Sequence, residues 1–121
     1  PAPPGRRKVV LATSIAETSL TIEGVRVVVD GGLARVPRFS ARTGMTRLET
    51  VRVSRASADQ RRGRAGRVAP GHCIRCWAEH DELALRAHAS PEVLEADLAP
   101  LALDLACAGI ADPRTLAWLD A

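Results

Sequence analysis

The chain lacks most of the side chains that fill a large core or stack on a base. Among its 121 residues there is no tyrosine, and aromatic residues make up only 2%. A core must therefore come from Val, Leu, Ile and Ala, within an apolar content of 46%. Lys8 is the only lysine, so no GxxxxGK[ST] loop for nucleotide phosphates is present. The length fits one small domain or a part of a larger one.

The sequence also lacks a secretory signal peptide and an apolar run long enough to span a membrane. We expect a soluble, cytoplasmic protein, and the three cysteines fit such a reducing compartment. Cys73 and Cys76 form a CxxC, but Cys107 is remote and no further ligand has suitable spacing. Because residues three apart on a strand point to opposite faces, we expect buried thiols and no metal site.

Charge is divided unevenly along the chain. Of the 17 basic residues all but one are arginine, which a GC-rich coding sequence explains, so arginine content alone does not indicate nucleic acid. Residues 1–75 contain 15 basic and 5 acidic residues, a net charge of +10. Residues 76–121 contain 2 basic and 9 acidic residues, a net charge of −7. We therefore expect two structural units, the first of which faces an anionic partner.

Several apolar runs predict an α/β arrangement. KVVLAT, residues 8–13, and VRVVVDGG, residues 25–32, are rich in β-branched residues and predict neighbouring buried strands of a parallel sheet. The polar segment between them predicts a short helix. Residues 33–53 predict a β-hairpin, and HCIRCW, residues 72–77, predicts a third strand of the sheet.

Two longer segments predict helices. ASADQRRGRAGR, residues 56–67, predicts a helix that Ser57 caps, with Gln60 at capping-box spacing and a stop at Pro70-Gly71. The second segment predicts a helix over residues 90–109.

In this second helix Ser90 is the expected cap and Gly109 the expected stop. Pro100 is expected to break or kink it, because proline removes a backbone donor. Residues 111–120 predict a further short helix.

The arginine-rich helix suggests a chemistry. On a helix Gln60, Arg64 and Arg67 share one face, because they stand at i, i+4 and i+7. Gly63 and Gly66 would let another backbone or a ligand come close. Guanidinium groups match phosphate oxygens and a glutamine can orient a water, which is what phosphoryl transfer needs. By spacing alone, a solvated arginine face with Gln60 closing a capping box is an equal alternative.

The same residues carry a resemblance to a known family. QRRGRAGR, residues 60–67, resembles motif VI of superfamily 2 helicases, and ATSIAETSLTIEGV, residues 12–25, resembles motif V of their DEAH-box branch. The two motifs have the right order and distance, and the resemblance covers nearly the whole chain. It implies an α/β fold at residues 1–78: the C-terminal half of a RecA-like parallel-sheet domain with an inserted β-hairpin. It implies that residues 79–121 are helices entering a winged-helix domain.

The resemblance also implies roles for residues that face the nucleotide. An ATP-dependent RNA helicase of this kind binds ATP between two RecA-like domains, and RNA runs across their tops. Arg64 and Arg67 match arginine fingers that reach the γ-phosphate, and Gln60 matches the glutamine near the attacking water. Ser19 and Thr21 match polar residues around the nucleotide.

Nucleic-acid contacts are implied in the same way. Thr13 matches a threonine whose hydroxyl contacts the RNA backbone. The hairpin matches one near the bound strand, and its Arg38, Arg42 and Arg47 would follow phosphates. A solvated hairpin is a comparable alternative, because Phe39 is its only aromatic residue.

Neither a Walker A loop nor a DEAH-type box is present, so both ATP and Mg²⁺ would depend on the first RecA-like domain of the same full-length protein. We expect the chain to be a fragment of a longer protein or a truncated product.

Three functions stay open. The first is the C-terminal part of an RNA helicase, the second a truncated non-catalytic nucleic-acid-binding module, and the third an ATPase that remodels ribonucleoprotein without unwinding.

Overall fold

The computed structural model describes residues 5–18 and 22–118, which form two compact units. The first unit joins the described part of Pro1–Val36 to Leu48–Ser90. The second joins Pro37–Arg47 to the described part of Pro91–Ala121. The domain division at residues 78 and 79 stays a prediction.

A two-stranded parallel sheet forms the centre of the first unit. Strand β1 (Val27–Asp30) pairs in parallel with a second strand at His72–Arg75, so that Val27 stands opposite His72. Both strands lie in segments that the sequence predicted as strands, and the predicted parallel sheet is confirmed. The burial predicted for VRVVVDGG is wrong, because Val27 and Val29 are 53% and 66% exposed. Asp30 ends β1 and is buried, which places a carboxylate at the carboxyl end of the strand.

The strand predicted at residues 8–13 is wrong. This segment carries no strand pairing, and Val9 and Leu11 are 84% and 95% exposed. A strand needs a neighbour to satisfy its backbone groups. Among the described residues β1 pairs with His72–Arg75 and not with residues 8–13. Residues 8–13 therefore have the composition of a buried strand but no strand to pair with.

The predicted β-hairpin is confirmed. Strands β2 (Leu33–Ser40) and β3 (Met45–Arg52) form their own two-stranded sheet. The turn closes where the N–H of Gly44 donates to the Ser40 carbonyl oxygen at 2.8 Å. Gly44 has a φ of 63°, which favours glycine over other residues. The hairpin tip, residues 37–47, belongs to the second unit and the rest of the hairpin to the first.

In the first unit, one helix precedes β1 in the chain and a second follows β3. Helix α1 is the short helix Ile15–Thr18, as predicted between the apolar runs. Helix α2 (Arg55–Arg62) begins and ends earlier than predicted. Its N-cap is Ser54, whose Oγ accepts the Ser57 N–H at 3.2 Å, so Ser57 is not the cap. The helix stops at Gly63 rather than Pro70-Gly71, because glycine is a poor helix former.

The strand His72–Arg75 is β4, and a short helix, α3 (Glu79–Leu83), follows it. Arg75 links α2, β4 and α3: it donates to Asp59 at 2.8 Å, donates to Glu82, and lies 5.5 Å from the centroid of the Trp77 ring. The buried apolar side chains of the described residues all lie in the first unit. They are Val53, Ala58, Ala65 and Leu85.

The second unit contains the hairpin tip and short helical segments. The predicted helix over residues 90–109 is divided into a 3₁₀ turn at Glu92–Leu94 and helix α4 (Ala99–Cys107). The predicted break at Pro100 is confirmed, because residues 95–98 are not helical and α4 begins only at Ala99. Pro100 lies in the first turn of α4, where its missing N–H has no intrahelical partner to lose. Pro91, not Ser90, precedes the 3₁₀ turn.

The predicted stop at Gly109 is confirmed. Gly109 has a φ of 78°, its N–H donates to the Ala106 carbonyl at 3.0 Å, and the Ile110 N–H donates to Leu105 at 2.9 Å. This pair of bonds is a Schellman motif. The further helix predicted near the C-terminus is a 3₁₀ turn at Pro113–Thr115. None of the described helices has the length and apolar character needed to cross a membrane.

Candidate functional site

The three residues predicted to act together line one cavity of the first unit. It is a shallow cavity, open to solvent, with a volume of about 380 Å³. Gln60 and Arg67 are exposed and Arg64 is half-buried. The lining residues are Glu17, Gln60, Gly63, Arg64 and Arg67.

Gln60, Arg64 and Arg67 line the same cavity, but not because they share one face of a helix, as predicted. Gln60 lies in the last turn of α2, but Arg64 and Arg67 lie beyond its end. The chain keeps turning in the same sense after the helix, since the Arg64 N–H donates to the Arg61 carbonyl at 3.0 Å. Arg64 also donates from Nη2 to the Glu17 backbone carbonyl, which fixes its guanidinium at the cavity wall.

No other segment's backbone lies close to Gly63 or Gly66, and the approach of a ligand there stays a prediction. A Cβ on Gly66 would have no neighbour within 4 Å, and one on Gly63 would meet only the carbonyls of its own helix turn. A Cβ on Gly71 would lie 2.3 Å from the backbone oxygen of Ala65. The backbone at Gly71 therefore packs directly on the turn between Arg64 and Arg67.

Arg61 forms hydrogen bonds within the protein that its position in the arginine-rich stretch did not predict. Its Nε donates to Glu17 Oε1 at 2.7 Å, and its Nη1 donates to Asp30 Oδ1 at 2.8 Å and to the Leu33 carbonyl at 3.1 Å. The side chains of Arg61, Glu17 and Asp30 are 17%, 14% and 1% exposed. Burial alone would lower the pKa of Arg61, but its bonds to Asp30 and Glu17 outweigh burial and raise it. The one sequence signal was an aspartate ending an apolar strand, which needs a partner if buried.

Glu17 contacts the α2 region at three points. Its carboxylate accepts from Arg61 and, at 2.6 Å, from the hydroxyl of Ser57. Its backbone carbonyl accepts from Arg64. The segment that carries motif V is thus bonded directly to the segment that carries motif VI.

The residues predicted to contact nucleic acid lie in both units. Thr13 is exposed and lies just before α1, in the first unit. Arg42 lies in the hairpin turn and Arg47 in β3, both exposed and both in the second unit. Arg38 is half-buried, and its Nη2 lies 3.3 Å from Glu95 Oε1.

Ser19 and Thr21, predicted to contact the nucleotide, lie outside the described residues. Within residues 5–18 and 22–118, no group of three or more His, Cys, Asp or Glu side chains is placed to hold a metal ion. Cys73 is half-buried, and burial raises its pKa. Cys76 is exposed, so the expectation of a buried thiol is wrong there, because Cys76 follows the end of β4.

Comparison with known proteins agrees with this geometry. The sequence profile described as the helicase conserved C-terminal domain matches residues 2–69. The ATP-dependent RNA helicase HrpB of Escherichia coli is 54% identical over 120 residues, which are 99% of this chain and 15% of that protein. The ATP-dependent RNA helicase HrpA of Escherichia coli is 44% identical over 95% of this chain and 9% of its own length.

A crystal structure of the DExH-box NTPase HrpB of E. coli has the same fold. It superposes with a TM-score of 0.92 and 54% identity, over 99% of this chain and 15% of that chain. The predicted fold class is confirmed: this is the C-terminal half of a RecA-like parallel-sheet domain with an inserted β-hairpin, followed by helices. The chain spans about 15% or less of the length of these relatives.

Proposed function

Because the chain belongs to the family described as the helicase conserved C-terminal domain, we propose that it is part of an ATP-dependent RNA helicase. In this proposal the intact protein couples ATP hydrolysis to movement on, or unwinding of, RNA in the cytoplasm. Residues 1–78 belong to its second RecA-like domain and residues 79–121 begin its winged-helix region. The cavity that groups Gln60 with two arginines carries the proposal.

The chemistry of the cavity suits the γ-phosphate of ATP. Charge develops on the phosphate oxygens in the transition state, and Arg64 and Arg67 supply guanidinium groups that match them. Gln60 orients the attacking water. Glu17 also lines the cavity, and the ion pair of its carboxylate with Arg61 offsets its charge and limits its repulsion of a phosphate.

The remaining assignments complete the proposal. The first RecA-like domain of the intact protein holds most of the ATP and its Mg²⁺, while Ser19 and Thr21 approach the nucleotide from this side. Thr13 contacts the RNA backbone. The hairpin residues Arg38, Arg42 and Arg47 follow RNA phosphates, whose negative charge attracts them.

The first test is ATP hydrolysis by the full-length protein with and without RNA, beside its Arg64→Ala variant. We expect turnover to fall by at least about a hundredfold, because an arginine finger typically contributes about a thousandfold or more. RNA affinity, measured by fluorescence anisotropy, should fall much less. Arg67→Ala should behave like Arg64→Ala.

Arg62→Ala is the matched control. Arg62 is an exposed neighbour that pairs with Asp59 at 3.4 Å and does not line the cavity. Its loss should leave turnover nearly unchanged. If the full-length protein hydrolyses no ATP, or if hydrolysis ignores Arg64, the proposal fails and a non-catalytic nucleic-acid-binding module becomes the better account.

A further inference from the structure

Arg61 stands beside the cavity residues in sequence but does not line the cavity. Its Nε and Nη2 both lie 2.7 Å from Glu17 Oε1, and its Nη1 bonds the Asp30 carboxylate and the Leu33 carbonyl. The guanidinium is thereby committed to protein groups. A direct phosphate contact would require it to leave two carboxylates that are themselves largely buried.

These bonds join three elements of the first unit. Glu17 lies in α1, Arg61 in α2, and Asp30 at the end of β1. Thr13 lies four residues before Glu17 in the same segment of the chain. Glu17 also contacts a cavity residue directly, because its backbone carbonyl accepts a hydrogen bond from Arg64.

We propose that Arg61 is a positioning residue that couples nucleic-acid contact at Thr13 to the placement of Arg64. This inference rests on the proposed function, since it explains how RNA contact at Thr13 would affect the nucleotide contact at Arg64. With Arg61 in place, the segment from Thr13 to Glu17 and the end of α2 move as one body. A shift of that segment on RNA then moves the carbonyl that holds Arg64.

The electrostatics explain why Arg61 is needed and why Ser57 is not sufficient. Without Arg61, the carboxylates of Glu17 and Asp30 would lose the charge that lies between them. Two nearby like charges repel, and neither is well solvated here. The hydroxyl of Ser57 would still bond Glu17 but would not neutralise it. Glu17 would therefore move away from Asp30, and its carbonyl would no longer fix Arg64.

The experiment measures the ratio of RNA-stimulated to basal ATP hydrolysis in the full-length protein. Arg61→Met should lower this ratio by at least about fivefold, the lower end of typical coupling between two sites. RNA affinity in the absence of ATP should change much less, because Arg61 touches no proposed RNA contact. Arg62→Met, which removes an exposed charge at the next position, should leave the ratio unchanged.

A purely structural role for Arg61 would lower both rates in proportion and leave the ratio intact, and that result would overturn the inference. If Arg61→Met lowers the thermal midpoint, Arg61→Lys carries the test. Lysine keeps the charge but has no planar fork to bond Glu17, Asp30 and Leu33 together, so the ratio should still fall. A ratio that Arg61→Lys leaves unchanged would also overturn it.

The two proposals fail in different ways. If the unaltered full-length protein shows no hydrolysis that RNA stimulates, the proposed function fails and the coupling has nothing to act on. If the unaltered protein is stimulated and the Arg61 variants keep the same ratio, only the coupling role is wrong.

Discussion

Two arginines three positions apart have different surroundings. Arg64 lines the cavity and donates to the Glu17 backbone carbonyl. Arg61 lies between two carboxylates, so its charge is compensated inside the protein. The motif resemblance implied a γ-phosphate contact for Arg64 and gave Arg61, which also falls within the motif, no definite role, because residue type and spacing do not reveal which acids fold against each side chain.

At the residue scale, Thr13 provides the converse of the Arg64 test. Thr13→Ala in the full-length protein should weaken stimulation by RNA more than it lowers basal ATP hydrolysis, because a hydroxyl that contacts a backbone phosphate acts only when RNA is bound. The measurement is the hydrolysis rate as RNA is titrated.

Thr50→Ala provides the control for Thr13→Ala. Thr50 is exposed in β3 and has no proposed contact with RNA or nucleotide, so its replacement should leave the RNA titration unchanged. Equal losses of basal and stimulated hydrolysis in Thr13→Ala would contradict the proposed RNA contact and indicate a folding defect.

At the element scale, the sequence predicted where strands form better than where helices end. Strand β1 follows from a run of valines and the hairpin from a turn glycine, and β4 lies in HCIRCW, which was also predicted as a strand. The predicted end of α2 at Pro70-Gly71 is wrong, because the helix stops at Gly63 and its periodic pattern continues beyond that poor helix former. The strand prediction at residues 8–13 is wrong for another reason, because strand pairing depends on a neighbour that is distant in sequence and that local composition does not specify.

Gly71 gives the clearest prediction at this scale. Gly71→Ala places a Cβ 2.3 Å from the Ala65 oxygen, which is backbone and has little freedom to move. The turn that carries Arg64 must shift, at a cost of about 1–3 kcal/mol for overpacking. We expect a lower midpoint in thermal unfolding of the full-length protein and slower RNA-stimulated ATP hydrolysis.

Gly31→Ala is the matched substitution for Gly71→Ala. Gly31 is exposed just after β1, its added Cβ has nothing within 4 Å, and its φ is not in the left-handed region. It should leave both the midpoint and the hydrolysis rate close to those of the unaltered protein. Equal effects of the two substitutions would show that contact between Gly71 and Ala65 does not support the turn.

At the scale of the whole molecule, the order of charges in the sequence overstated their separation in space. The first 75 residues have a net charge of +10 and the rest −7. The hairpin tip, with its three arginines, belongs to the same unit as the acidic segment. Counted by unit, the first has 13 basic and 8 acidic residues, net +5, and the second 4 and 6, net −2. Arg38 and Glu95 form one of the ion pairs that this arrangement allows.

The small amount of buried apolar surface leads to a prediction about the whole chain. Among the described residues the buried hydrophobic side chains are two alanines, one valine and one leucine, while Val9, Leu11 and Leu83 are largely exposed. Burial of a large aliphatic side chain contributes about 1.5–3 kcal/mol, and ordering the backbone of one residue costs about 1–2 kcal/mol. We therefore expect the 121-residue chain alone to show no cooperative transition in a thermal melt followed by circular dichroism. Hydrogen exchange should protect β1 and β4 in the full-length protein but not in the isolated chain. A sharp two-state melt of the isolated chain would contradict this and mean that its exposed apolar residues find partners within the chain itself.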